Sequence, residues 1–112
     1  MEITKEQNGA VTVVGIVGSL DALTAPQLAD FFQQQLAGGN AKLVADLKSL
    51  EYTSSAGLRV ILNTVKEARQ KGGDVRLAGV GPNVSKVFEM SGFHNILKFY
   101  PDAAGAVASY GG

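Results

Sequence analysis

The sequence predicts an α/β domain: one mixed β-sheet of about four to five strands, with helices crossing over between them. Three observations carry this. Short aliphatic or β-branched runs at residues 10–17, 42–47 and 75–80 alternate with longer stretches of helical spacing, as parallel strands joined by crossover helices require. A hairpin signal, Asn8-Gly9, precedes the first run and adds an antiparallel edge. The 112 residues are 46% hydrophobic and only 18% charged, which suits one core and one domain over residues 1–112, with no linker dividing it.

Residues 1–7 read as a strand, and residues 10–17 as one buried on both faces, after which Gly18-Ser19-Leu20-Asp21 turns away. Thr24-Ala25-Pro26-Gln27 fits a capping box, with Thr24 as N-cap and Gln27 reaching back. The helix it opens carries Ala25, Leu28, Phe31, Phe32 and Leu36 on one face, with Gln35 as the polar exception. Gly38-Gly39-Asn40 stops it, and residues 42–47 form the next strand.

At Thr53-Ser54-Ser55-Ala56-Gly57 a strand-to-helix join is expected, leading into a helix with Leu58, Ile61, Leu62, Val65 and Ala68 inward and Gly72-Gly73 at its end. Residues 75–80 give a third core strand. Gly81-Pro82-Asn83 opens a short helix that Gly92 closes, with Val84, Val87 and Phe88 inward. Residues 96–100 read as an edge strand. Pro101-Asp102 opens a last helix, to which Gly105 and the alanines give little grip.

Composition excludes several functions. Ten basic and ten acidic residues give zero net charge with no basic block, so nucleic-acid binding is disfavoured. Without cysteine there is neither a disulfide nor a thiolate metal site, and one histidine builds no metal centre, so no cofactor or metal is expected. Met1-Glu2-Ile3-Thr4-Lys5-Glu6 reads as no apolar leader, and no apolar run approaches membrane-spanning length. A cytoplasmic protein without membrane insertion is expected, and a monomer.

Enzyme readings fare poorly. The 53–57 join has the shape of a G-x-S-x-G nucleophile elbow, but Thr53 replaces its first glycine, and His94 sits in a turn with nothing in the spacing to bring it to Ser55. Gly79-Val80-Gly81 lacks the third glycine of a dinucleotide loop, and no loop ends in the Gly-Lys-Ser/Thr of a phosphate loop. No catalysis is expected. Asp21 and Asp46 lie at or near the C-terminal ends of strands, where α/β sheets gather functional loops, although for each alone local turn hydrogen bonds are the better explanation of aspartate there.

A helix N-cap accounts for one hydroxyl at the join, not for three in succession. Nor does a cap explain Gly57 in a first turn, since glycine is a poor helix former; small residues there read as a surface kept open to an approaching partner. Phe88, Met90 and Phe93 read as core and turn packing. Arg59, early on the helix, reads as exposed, and equally as a contact for an acidic partner or as a simply solvated helix arginine.

At these residues the chain resembles the STAS-domain family of anti-sigma factor antagonists over nearly its whole length. The likeness is carried by Gly18-Ser19-Leu20-Asp21 with Thr24-Ala25, by Asp46-Leu47, and by Tyr52-Thr53-Ser54-Ser55-Ala56-Gly57-Leu58-Arg59-Val60-Ile61-Leu62. Gly72-Gly73 and Phe88-Glu89-Met90-Ser91-Gly92-Phe93 complete it.

The resemblance implies a phosphorylatable antagonist that binds a serine-kinase anti-sigma factor when unmodified, is released by phosphorylation, and is reset by a metal-dependent serine phosphatase. The acceptor it implies is Ser55, with Ser54 second, since Ser54 stands where the family often has aspartate. Asp21, Thr24, Ser54, Ala56, Gly57 and Arg59 are the implied partner-binding residues. The alternative is a constitutive STAS interaction subunit of a cytoplasmic transport or signalling complex.

Overall fold

A computed structural model describes residues 1–111. In chain order the elements are β1 (Glu2–Asn8), β2 (Val11–Leu20), α1 (Ala25–Ala37), β3 (Lys42–Asp46), β4 (Leu50–Thr53), α2 (Ser55–Gln70), β5 (Asp74–Ala78), α3 (Pro82–Ser91), β6 (Phe99–Tyr100) and α4 (Ala103–Ala108). The sheet is mixed, as expected, with six strands rather than four or five. Its order is β1-β2-β3-β5-β6, and β4 pairs with the far end of β2. β1 and β2 are antiparallel, and every other pair is parallel.

Alternation along the strands gives the sheet two dry faces. Val14 and Ile16 of β2, Leu43 and Ala45 of β3, and Val75 and Leu77 of β5 join the main core with Leu28, Phe32 and Leu36 of α1 and Leu58, Ile61 and Val65 of α2. The intervening Val11, Val13, Val44 and Ala78 face a second, smaller core closed by Ala106 of α4. Gln35, the polar residue on the inner face of α1, is buried with its Oε1 accepting from Asn40 Nδ2 at 3.1 Å. The pairing satisfies a group that would otherwise be costly to bury.

The structure corrects several local expectations. Asn8 pairs with Val11, so the hairpin loop is Gly9-Ala10 rather than Asn8-Gly9. Strand β2 does not turn away at Gly18: it runs on to Leu20 through a register shift between Gly18 and Ser19, with Gly18 at φ 98°. The expected direct passage from strand to helix at the join is interrupted by β4, whose Glu51 and Tyr52 are exposed between buried Leu50 and Thr53. The last strand is only Phe99–Tyr100. Of the three residues read as packing, only Phe88 is: Met90 is 87% and Phe93 40% exposed. Helix α3 buries Val84 and Phe88, an i, i+4 stripe, and Met90 lies off it.

The last helix is better held than its composition implies. Asp102 caps it by accepting from Gly105 N at 2.7 Å. Beyond it, the Tyr110 hydroxyl lies 2.6 Å from Leu43 O and 2.8 Å from Asp74 O, bridging two strand starts. Arg76 stacks over the Tyr110 ring at 4.0 Å and donates to Ser109 Oγ at 2.8 Å. Burial, then the neighbouring Asp74 charge, pushes the Tyr110 phenol far above its ordinary pKa, so it remains a neutral donor.

Candidate functional site at the start of α2

The site is assembled by the pairing of β2 with β4. Leu20 is in register with Thr53, and Ser54 N donates to Leu20 O at 2.8 Å. Asp21, the next residue after β2, is thereby set level with Ser54 and the start of α2 at the C-terminal end of parallel strands.

Asp21 and Thr24 organise the loop between β2 and α1, though not as a capping box. Thr24 has helical backbone angles (φ −96°, ψ −18°), and its side chain makes no cap hydrogen bond. Instead Thr24 Oγ1 accepts from Asp21 N at 2.9 Å. Asp21 Oδ1 accepts from Leu23 N at 2.9 Å, Thr24 N at 3.0 Å and Thr24 Oγ1 at 3.1 Å. The aspartate three residues upstream out-competes the capping-box geometry because it reaches two backbone donors at once.

The Thr24 N–H, then its hydroxyl, hold the Asp21 carboxyl below the usual carboxylate range, against a smaller opposing effect of desolvation. A depressed folded-state pKa means that this contribution to stability is present above pH 4 or so and is lost as the pH falls through the folded value. Urea denaturation is therefore expected to show a steeper loss of stability for the wild type than for Asp21→Asn between about pH 5 and pH 2. Parallel pH profiles for the two would remove the loop's charge from the account.

The three hydroxyls at the join have three different environments. Thr53 is buried, with Oγ1 donating to Ser54 O at 3.2 Å. Ser54 is the N-cap of α2, its Oγ accepting from Gly57 N at 3.3 Å. Ser55 is the first helical residue; it is exposed and takes no part in the cap. Unpaired N–H groups and the positive end of a 16-residue helix surround it, with no acidic residue in the first turn.

Ala56 is half-buried against the main core. Gly57 is not the open surface its small size implied. It is buried, and a Cβ there would lie 2.5 Å from Leu20 Cγ and 2.7 Å from Thr53 Oγ1. Glycine is needed so that α2 can press onto β2 and β4. Arg59 is exposed, and with Ser55 it lines a groove of about 450 Å³ along α2.

Asp46 turns inward to its own loop, accepting from Lys48 N at 3.3 Å. His94 lines a separate hollow with Ser85, Phe88, Glu89 and Phe99. Leu23 on the Asp21–Thr24 loop and Tyr52 on β4 are 90% and 52% exposed, apolar surface that helical or strand spacing gave no means of singling out. Among the described residues no acidic or histidine cluster could hold a metal ion, and no helix is long and apolar enough to cross a membrane.

A β2–β4 ledge carrying a capped helix start, beside an aspartate loop, defines a single α/β domain with its candidate site at the C-terminal end of parallel strands. The STAS domain model matches residues 2–106, and the chain belongs to the STAS-domain family. It is 34% identical over 110 residues to BtrV of Bordetella bronchiseptica, provisionally named an anti-sigma factor antagonist; the match covers 98% of this chain and 95% of that protein. The anti-sigma F factor antagonist of Paenibacillus polymyxa is 30% identical, with 96% and 92% covered. The crystal structure of an anti-sigma factor antagonist from Mycobacterium paratuberculosis superposes with a TM-score of 0.88 at 25% identity, covering 96% of this chain and 92% of that one.

Proposed function

We propose that the protein is an anti-sigma factor antagonist whose binding to a serine-kinase anti-sigma factor is switched off by phosphorylation of Ser55 and restored by a metal-dependent serine phosphatase. The names of its relatives support the antagonist role. One observation carries the choice of residue: Ser54 is spent on the cap, which leaves Ser55 as the exposed hydroxyl of the first turn.

Phosphate adds about −1.5 to −2 charges at neutral pH. A helix N-terminus accommodates such a group without refolding, because its N–H groups and dipole favour an anion. The partner meets the charge instead. A contact surface built around a neutral hydroxyl, with Asp21, Thr24, Ser54 and Arg59 around it, becomes one in which a charge must be desolvated against a partner face that supplies no cation to match it. The switch is thus electrostatic, and the backbone stays as it is.

The test is incubation with ATP and an extract containing the kinase, followed by phosphopeptide mapping. Label on Ser55, lost in Ser55→Ala, is the expected result. Label on Ser54 would move the acceptor by one residue. No label with any serine kinase of the same cell would favour a constitutive STAS interaction subunit.

A further inference from the structure

We infer that the groove running from Ser55 along α2 receives an acidic amphipathic helix of a partner protein. The inference rests on reading this surface as a partner surface, and not on modification of Ser55.

Its floor is the half-buried Leu62, above Leu58 and Val65, which are 4% and 1% exposed and belong to the main core. The opposite wall is Phe93 and Ile96, which are 40% and 46% exposed. The apolar surface it offers a docked helix is therefore Leu62 on one side and Phe93 and Ile96 on the other, enough for the apolar stripe of an amphipathic helix to enter between them. At about 450 Å³ it has room for a few apolar side chains.

The wall is held in place before any partner arrives. Arg69, at the far end of α2, donates from Nη2 to Ile96 O at 2.8 Å and from Nε to Asp74 Oδ1 at 3.0 Å. Asp74 is buried and is fixed in turn by Val75 N at 2.9 Å and by Arg76 Nε at 3.3 Å. A preformed wall spares the partner the cost of ordering it.

Charge decides which helix fits. Arg59 and Lys66, seven residues apart and so on one stripe about two turns long, are exposed along the rim, and no carboxylate is among the lining residues. The chain as a whole is neutral, so this one-signed rim is a local feature. It steers and orients an acidic flank and disfavours a basic one.

The experiment titrates the full-length ¹⁵N-labelled protein with a synthetic helical peptide bearing leucines at i, i+3, i+4 and i+7 and glutamates along one flank. A second peptide has lysine at every glutamate position. The acidic peptide is expected to shift the amides of residues 58–66 and 93–96. The basic peptide, and the acidic peptide with the Arg59→Glu, Lys66→Glu double variant, are each expected to bind about tenfold more weakly or worse.

Every titration uses the unmodified protein with no kinase present, so failure of the groove is read separately from failure of the phosphorylation switch, which the phosphopeptide map alone decides. Equal binding of both peptides, shifts mapping elsewhere, no binding at about 1 mM peptide, or unchanged affinity in the double variant would each overturn the inference. Groove amides that shift with protein concentration alone would assign the groove to a second copy of the chain, and so overturn it too.

Discussion

A Ser55→Asp variant is expected to bind the cognate serine-kinase anti-sigma factor at least about a hundredfold more weakly than the unmodified protein. The magnitude follows from desolvation. A single carboxylate buried without a well-placed cation costs several kcal/mol, and about 1.4 kcal/mol is a factor of ten. The same change costs the fold little, because Ser55 is exposed and a first-turn aspartate complements the helix dipole.

Ser55→Ala should bind within about threefold of wild type, since it loses one exposed hydroxyl and gains no charge. Isothermal titration calorimetry on the three proteins gives the answer, with urea denaturation as the control that all remain folded. Equal affinity of Ser55→Asp and wild type would end the electrostatic account of the switch.

Gly57→Val is expected to lower stability by about 1–2 kcal/mol. Forcing a side chain into a filled space costs about 1–3 kcal/mol, and replacing a helical glycine returns at most about 1. The space is filled by Leu20 Cγ, a branch point that cannot swing aside as a chain end would, and by Thr53 Oγ1. Gly57→Ala should lie between the two, because the Cβ alone makes the close contacts. The denaturation midpoint in urea, at unchanged slope, reads the loss. A Gly57→Val midpoint equal to that of wild type would mean that α2 and β2 can part at no cost.

Much of the fold is legible in the sequence because its physics is local. β2, β3 and β5 carry their own apolar runs, and α2 its own stripe of Leu58, Ile61, Val65 and Ala68. What escapes is what depends on a neighbour. β4 has four residues, the middle two exposed, and is a strand only because β2 extends far enough to pair with it. Gly18 reads as a turn in isolation but serves as a bulge inside a strand.

The candidate site divides in the same way. The hydroxyl cluster is visible in the sequence, and so is Asp21. The distinction between Ser54 as cap and Ser55 as exposed hydroxyl needs the angle at which the chain enters α2. Gly57 reads as open surface and is buried, because no periodicity records how closely a helix approaches the strand beneath it. Thr24 reads as a cap from its spacing to Gln27, and the competing aspartate three residues earlier overrides that spacing.

Strand β2 is ten residues long and serves three ladders, its first part with β1 and β3 and its last three residues with β4. It therefore acts as a ruler. The two halves of the surface, the aspartate loop and the helix start, are spaced by backbone hydrogen bonds and not by the side chains that do the chemistry. Such a surface can change its chemical lettering residue by residue, and so its choice of partner, while its dimensions stay constant. An insertion or deletion between the bulge and Asp21 is a different matter: it would turn Leu20 out of the core and carry the loop to the other side of the sheet. Substitution of the surface's exposed residues thus leaves its dimensions as they are, whereas a change in length does not.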